Sequence, residues 1–235
     1  MKKWSLILFA AGILSGLILI AMATWADQEA ALFEPTSAYD KGLPSLHCPL
    51  IATNNEVSSI FVELKNPSTY PVSPLTTAHI TAGSVLLIDE FIDLPAIPPG
   101  EMKKLAWEAV PVNAAFKSLI LARVYVERSY PLPSRSGSCG IVVLPFGGVS
   151  GGVVVGFLVL SCLAGTILGL VFWRRANKAL STKQREFHSG LITLAVITAA
   201  GLLSIIFSIW PIGLASVIGI LLVSIAFTTR YWGEI

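Results

Sequence analysis

The sequence predicts a membrane protein with four α-helical transmembrane segments and one all-β sandwich domain between the first and second of them. Three observations carry this expectation. Four long stretches contain no charged residue. Twelve of the fourteen acidic residues fall between Asp27 and Glu127, and that acidic window alternates short apolar runs with turn residues. The 235-residue chain is 54% hydrophobic and 13% charged, whereas soluble domains carry about a quarter charged residues.

The uncharged stretches are Ser5–Trp25, Val149–Trp173, Ser189–Ile209 and Ile212–Thr229. A helix needs about 20 apolar residues to cross a bilayer core, and each stretch meets or approaches that length. Trp4, Trp25, Trp173, Trp210 and Trp232 fall at their edges, where indole rings favour the headgroup region. Lys2, Lys3 and the Ala21-Met22-Ala23 run also fit a signal peptide. The apolar core exceeds the about 7–15 residues of a signal, which favours an uncleaved anchor over residues 1–26. Basic residues sit before the first stretch, between the second and third (Arg174, Arg175, Lys178, Lys183, Arg185) and after the fourth (Arg230). Basic loops stay in the cytoplasm. Both termini are therefore expected inside and residues of about 27–146 outside, in a plasma membrane. No open glycosylation acceptor lies outside, since Pro67 closes Asn66-Pro67-Ser68, which fits a bacterial protein. The resulting partition is a first helix to residue 26, a linker at 27–46 and a sandwich at 47–145. A second span at 146–173, a basic loop at 174–188, a third span at 189–210 and a fourth span with a tail at 211–235 complete it.

The outer region holds twelve acids and eight bases, and the rest holds two acids and eight bases. The basic excess is what orientation requires, so it points to anionic lipid heads and not to nucleic acid. Within the outer region, Ile60, Val62 and Leu64 alternate with Ser59, Phe61 and Glu63. Leu105, Trp107 and Ala109 alternate with Lys104, Ala106 and Glu108, and Ile120, Ala122, Val124 and Val126 with Leu121, Arg123 and Tyr125. Thr77–Thr81, Ser84–Ile88 and Gly140–Leu144 are further strand candidates. Period two with closely spaced turns reads as a sandwich. The Asn-Pro-Ser after one strand and the Pro-Pro-Gly-Glu at residues 98–101, before the tryptophan-bearing strand, resemble bacterial immunoglobulin-like domains over about 100 residues. That resemblance implies a fold and no function. Cys48 and Cys139 flank this region, and an exported setting predicts a disulfide between them; two free thiols are the alternative.

Pro145–Cys162 is rich in glycine. It lacks the lysine and spacing of a phosphate loop and the Gly-x-Gly-x-x-Gly of a dinucleotide site. Gly148, Gly152 and Gly156 recur every four residues, Ser161, Gly165 and Gly169 continue the series after a phase shift, and Gly12 and Gly16 repeat it in the first span. Small residues at this spacing let helix backbones approach in lipid, within one chain or between copies in a homo-oligomer.

The four stretches contain no Asp, Glu, Lys, Arg or His, which argues against a proton relay or ion path within them. His47 beside Cys48 makes a poor metal site without a second ligand cluster. Asp89, Glu90 and Asp93 around Phe91 read as a solvated loop before a cation site. His79 has no nucleophile near it in sequence. No catalytic residue, cofactor or metal is expected. The expected function is that of a non-catalytic membrane protein whose exported sandwich binds or braces another envelope protein, with a small transporter or channel component as the alternative. The loop Ile88–Pro99, with Phe91 and Ile92, is the candidate contact, though these apolar residues also suit the sandwich core.

Overall fold

The computed structural model describes residues 2–33, 42–83, 87–177 and 182–231. Trp232, Ser84 and Lys178, used in the sequence reading, lie outside them. The chain divides into two compact units, one of Met1–Trp25 with Val155–Ile235 and one of Ala26–Val154.

Among the described residues four helices are long and apolar enough to cross a membrane, and by that length and composition this is a membrane protein. They are α1 (Lys2–Leu32), α2 (Gly151–Ala176), α3 (Thr182–Ile206) and α4 (Trp210–Tyr231). Hydroxyls on these helices bond back to their own backbone, as Thr166 does to the Cys162 carbonyl and Thr198 to that of Leu194, which satisfies them in an apolar setting. The core of the helical unit joins Phe9, Ile13 and Ile20 of α1, Trp173 of α2, Leu191 and Leu194 of α3, and Ile220 of α4. Trp173 is buried against Phe187 and His188, while Trp4 and Trp25 are exposed. The sequence assigned all three to the headgroup edge. Trp173, near the end of α2, in addition packs against α3.

The second unit contains two sheets. The smaller is antiparallel, in the order β1 (Leu46–His47), β3 (Ser58–Lys65), β6 (Met102–Ala109). The larger runs β2 (Ile51–Thr53), β8 (Arg135–Leu144), β7 (Leu119–Val126), β4 (Thr76–Ala82), β5 (Leu87–Asp93). Ile60, Val62 and Trp107 from the first sheet meet Ala78, Ile80, Ala122, Val124 and Ile141 from the second in one core. Each fully buried large aliphatic side chain contributes roughly 1.5–3 kcal/mol. Cys48, just after β1, is bonded to Cys139 in β8, so the disulfide joins the two sheets.

The expected all-β immunoglobulin-like domain between the first two spans is not supported. What the chain has there is a sandwich-like region of two sheets, with one helix before it and three after. Two findings overturn the finer expectation. The sheets hold three and five strands with a parallel β2–β8 pair, unlike the antiparallel four-plus-three arrangement of immunoglobulin constant domains. The unit is also not all-β, because it takes in Ala26–Leu32 of α1. At 31 residues, α1 is about 46 Å long, well beyond a bilayer core of about 30 Å. Ala26, Ala30 and Phe33 fall on one helical face and are buried. A side chain at Gly140 of β8 would overlap the Ala26 backbone, and Arg123 of β7 donates to the Phe33 carbonyl at 2.7 Å. The end of α1 therefore covers the outer face of the larger sheet, and every residue of β7 is buried.

The entry to α2 is gripped by the loop after β2. Glu56 accepts hydrogen bonds from the Gly151 amide at 2.6 Å and the Thr53 amide at 3.3 Å. Thr53 Oγ1 donates to the Val149 carbonyl at 2.9 Å. A carboxylate at this position satisfies an otherwise free amide and complements the helix dipole.

Candidate functional site

The sequence reading of Ile88–Pro99 as a loop is corrected by the structure, which forms strand β5 over Leu87–Asp93. Its carboxylates lower strand propensity, and its apolar residues come in adjacent pairs, so period two is hidden. Pairing with β4 overrides this, matching Phe91 with Ala78, Glu90 with His79 and Asp89 with Ile80.

Register fixes the direction of each side chain. Ala78 and Ile80 belong to the core, so Asp89, Phe91 and Asp93 share the core-side face, while Ile88, Glu90 and Ile92 share the other. Neither face is covered. Phe91 is 38% exposed and Ile92 62%. The facing sheet has two fewer strands, which leaves β5 at an uncovered margin. The end of β5 is tied across the sandwich, where Trp107 Nε1 donates to Asp93 Oδ2 at 3.0 Å. On the other face, His79 Nε2 lies 3.5 Å from Glu90 Oε1, and the His79 ring meets Tyr125 edge-on.

The connection from β5 to β6 is held by Asn66, which is fully buried. Its Nδ2 donates to the carbonyls of Tyr70, Ile97 and Pro98 at 2.8, 2.9 and 3.2 Å. Its Oδ1 accepts from the Ser68 amide at 2.9 Å and the Ser68 hydroxyl at 2.6 Å. Sequence reasoning marked Asn66-Pro67-Ser68 as the end of a strand, as part of the immunoglobulin-like resemblance and as a closed glycosylation site, and not as the bracket that holds this connection. The Asn-Pro pair was the available signal, since asparagine before proline initiates turns.

The carboxylates do not converge. Asp89 and Asp93 lie on one face of β5 and Glu90 on the other, so the three cannot share one cation. Cys48 is bonded to Cys139 and His47 stacks on Phe61. Among the described residues no group of three or more His, Cys, Asp or Glu side chains could hold a metal ion. A cavity of about 380 Å³ opens beside β3 and β8, with Leu43, Leu64, Val126 and Leu132 in its wall and Glu63, Lys65 and Arg135 at its margin. Its lining contains no histidine or cysteine.

The glycines separate into two sets. A side chain at Gly12 would come within 2.6 Å of the Thr166 amide, one at Gly165 within 2.8 Å of the Gly12 Cα, and one at Gly169 within 2.6 Å of Phe9. One at Gly16 would meet Cys162 and Thr198. Gly152 and Gly156 face open space, and Gly148 precedes α2 with a φ of 88°.

The chain matches no protein-family model, and no curated protein matches it. Solved structures resemble part of it. One is the CARDB domain of a Pyrococcus furiosus protein in complex with di-metal ions, at 14% identity and a TM-score of 0.31, covering 43% of this chain and 90% of that one. Another is red sea bream transglutaminase, at 17% identity and a TM-score of 0.32, covering 43% and 14%. A third is a Paenibacillus cycloisomaltooligosaccharide glucanotransferase, at 11% identity and a TM-score of 0.34, covering 44% and 14%. Similarity this low carries no statement about function.

Proposed function

We propose that this is a non-catalytic integral membrane protein whose exported sandwich unit binds or braces a partner, as an accessory subunit of an envelope assembly in a bacterial plasma membrane. The observation that carries the reading is β5, an edge strand whose residues Leu87–Ile92 are exposed on both faces. Contiguous exposed apolar residues on a folded unit mark interaction sites more often than isolated ones do. Phe91 and Ile92 are the contact residues. The positive-inside rule supports two cytoplasmic termini and an outward sandwich.

The test is in the membrane. A photo-crosslinking residue at Ile92 should capture a specific envelope protein from intact cells. F91S/I92S should reduce co-purification of that protein while the disulfide still forms. Undiminished recovery with the folded double variant would remove β5 from the model. Labelling of an introduced cysteine at Ser68 only from the cytoplasmic side would overturn the orientation.

A further inference from the structure

We propose that β5 receives an extended segment of a partner chain by strand addition, and that this segment carries lysine or arginine between apolar residues. The larger sheet would thereby gain a sixth strand. The inference rests on the binding role proposed above and specifies its chemistry.

Three features of the strand lead to it. First, β5 pairs with β4 and, among the described residues, with no other strand. A strand with one free edge presents alternate backbone amides and carbonyls as a template for another chain. Second, its side chains follow one pattern on both faces. Leu87, Asp89 and Phe91 run apolar, acidic, apolar on the core side, and Ile88, Glu90 and Ile92 repeat this on the other. The complement is a strand with apolar pairs flanking a basic pair, since opposite charges directly across a sheet are favourable and like charges are not.

Third, the same charges disfavour a second copy of β5 as occupant. Antiparallel two-fold pairing centred on Asp89 or Glu90 sets that carboxylate against itself. Centring on Phe91 sets Asp89 against Asp93 on the same face. Acidic residues on an edge are a known device against self-pairing. Here they disfavour the copy in the central registers and favour a cation-bearing strand.

The full chain in nanodiscs of zwitterionic lipid, which removes anionic headgroups as a competing source of attraction, is titrated against a fluorescent seven-residue peptide. The peptide consists of valines flanking a lysine–arginine pair, and anisotropy is read. Saturable binding is expected. Replacing the basic pair by glutamates should weaken it by about tenfold or more. Methylating alternate backbone amides, with the side chains unchanged, should do the same, because strand addition needs those donors. D89K/E90K should reverse the preference between the basic and acidic peptides. The peptide variants test the unmodified protein, so the conclusion does not depend on that double variant folding. Equal binding of the methylated peptide, equal binding of the acidic peptide, or no saturable binding would each overturn strand addition. So would concentration-dependent self-association of the chain that D89K/E90K abolishes, because it would place a second copy at the edge. If strand addition fails while the crosslinker at Ile92 still captures a partner, the binding role survives and only this mode of binding falls.

Discussion

In the helical unit Phe157, Leu160, Ile206 and Leu222 are exposed, and in the sandwich unit Leu87, Ile88, Phe91 and Ile92 are exposed. The first set lies on helices long and apolar enough to cross a membrane, where hydrocarbon chains cover such side chains and no partner protein is required. The second set lies on a strand that also carries Asp89, Glu90 and Asp93, and such a strand has no place in hydrocarbon. The same chemistry therefore has two meanings. What distinguishes them is the company each apolar residue keeps. Single exposed residues of the sandwich unit, such as Val112 and Phe116, fall under the general rule that much of any protein surface is apolar. Leu87–Ile92 is different because the exposed residues are continuous.

The units also close differently. The sandwich interdigitates branched side chains and adds a covalent tie. The helices of the other unit approach at glycines, backbone to backbone. The largest expected effect follows from the tie. Cys48 and Cys139 are 91 residues apart, and closing such a loop contributes roughly 4–5 kcal/mol in the chain-entropy model. C48S/C139S should therefore lower the unfolding midpoint of the sandwich unit, read by its Trp107 fluorescence with the other tryptophans replaced. The helical unit should be untouched. A common loss of both units would show that they unfold as one and would break the comparison.

Next in size is Asn66→Ala. Three carbonyls and the Ser68 amide and hydroxyl would lose their partner in a buried place, and unsatisfied buried groups cost about 1–3 kcal/mol each before water enters. A net loss of about 3 kcal/mol is expected in a chemical denaturation series. Asn66→Asp keeps the acceptor but removes the donor, so it should rescue little. Full rescue by Asn66→Asp would assign the work to the Ser68 contacts alone.

Much of this architecture was legible in the sequence. Absence of charge marked the four helices, because a single buried ion in hydrocarbon is costly. Period two marked β3, β6 and β7, and Ile60, Val62, Trp107, Ile120 and Val124 are buried on the faces it indicated. It could not show that Leu121, Arg123 and Tyr125 are buried too. Arg123 meets the Phe33 carbonyl just beyond α1, a tertiary contact that leaves no local pattern. β5 was hidden for a related reason, since an edge strand facing no neighbouring layer has no alternation to reveal it. Of the candidate contact, the identities of Phe91 and Ile92 were readable. Their exposure was not, because it depends on the width of the opposite sheet.

The glycines sharpen the contrast inside the membrane. Gly165→Leu forces a side chain against the Gly12 backbone, and overpacking costs about 1–3 kcal/mol. Thermal stability of the detergent-solubilised chain should fall by an amount in that range. G152L/G156L should leave it unchanged, since both positions face open space. A change in oligomer size with that double variant, at unchanged stability, would place another chain against this stretch of α2.

The smallest effect is expected where the sandwich hands the chain to α2. Glu56 is sequence-distant from α2, yet its carboxylate receives the Gly151 amide and also the Thr53 amide. Glu56→Gln keeps the shape and one acceptor oxygen but removes the charge. The lost interaction with the helix dipole is about 0.3–1 kcal/mol at an exposed terminus, too little to move global unfolding far. It should instead appear locally, as faster amide hydrogen exchange at Gly151–Val154 with unchanged exchange in β7. Glu56→Ala should speed exchange further, because the acceptor itself is then gone. Unchanged exchange at Gly151–Val154 in both variants would mean that the Thr53 hydroxyl, through its bond to the Val149 carbonyl, is sufficient to fix the start of α2.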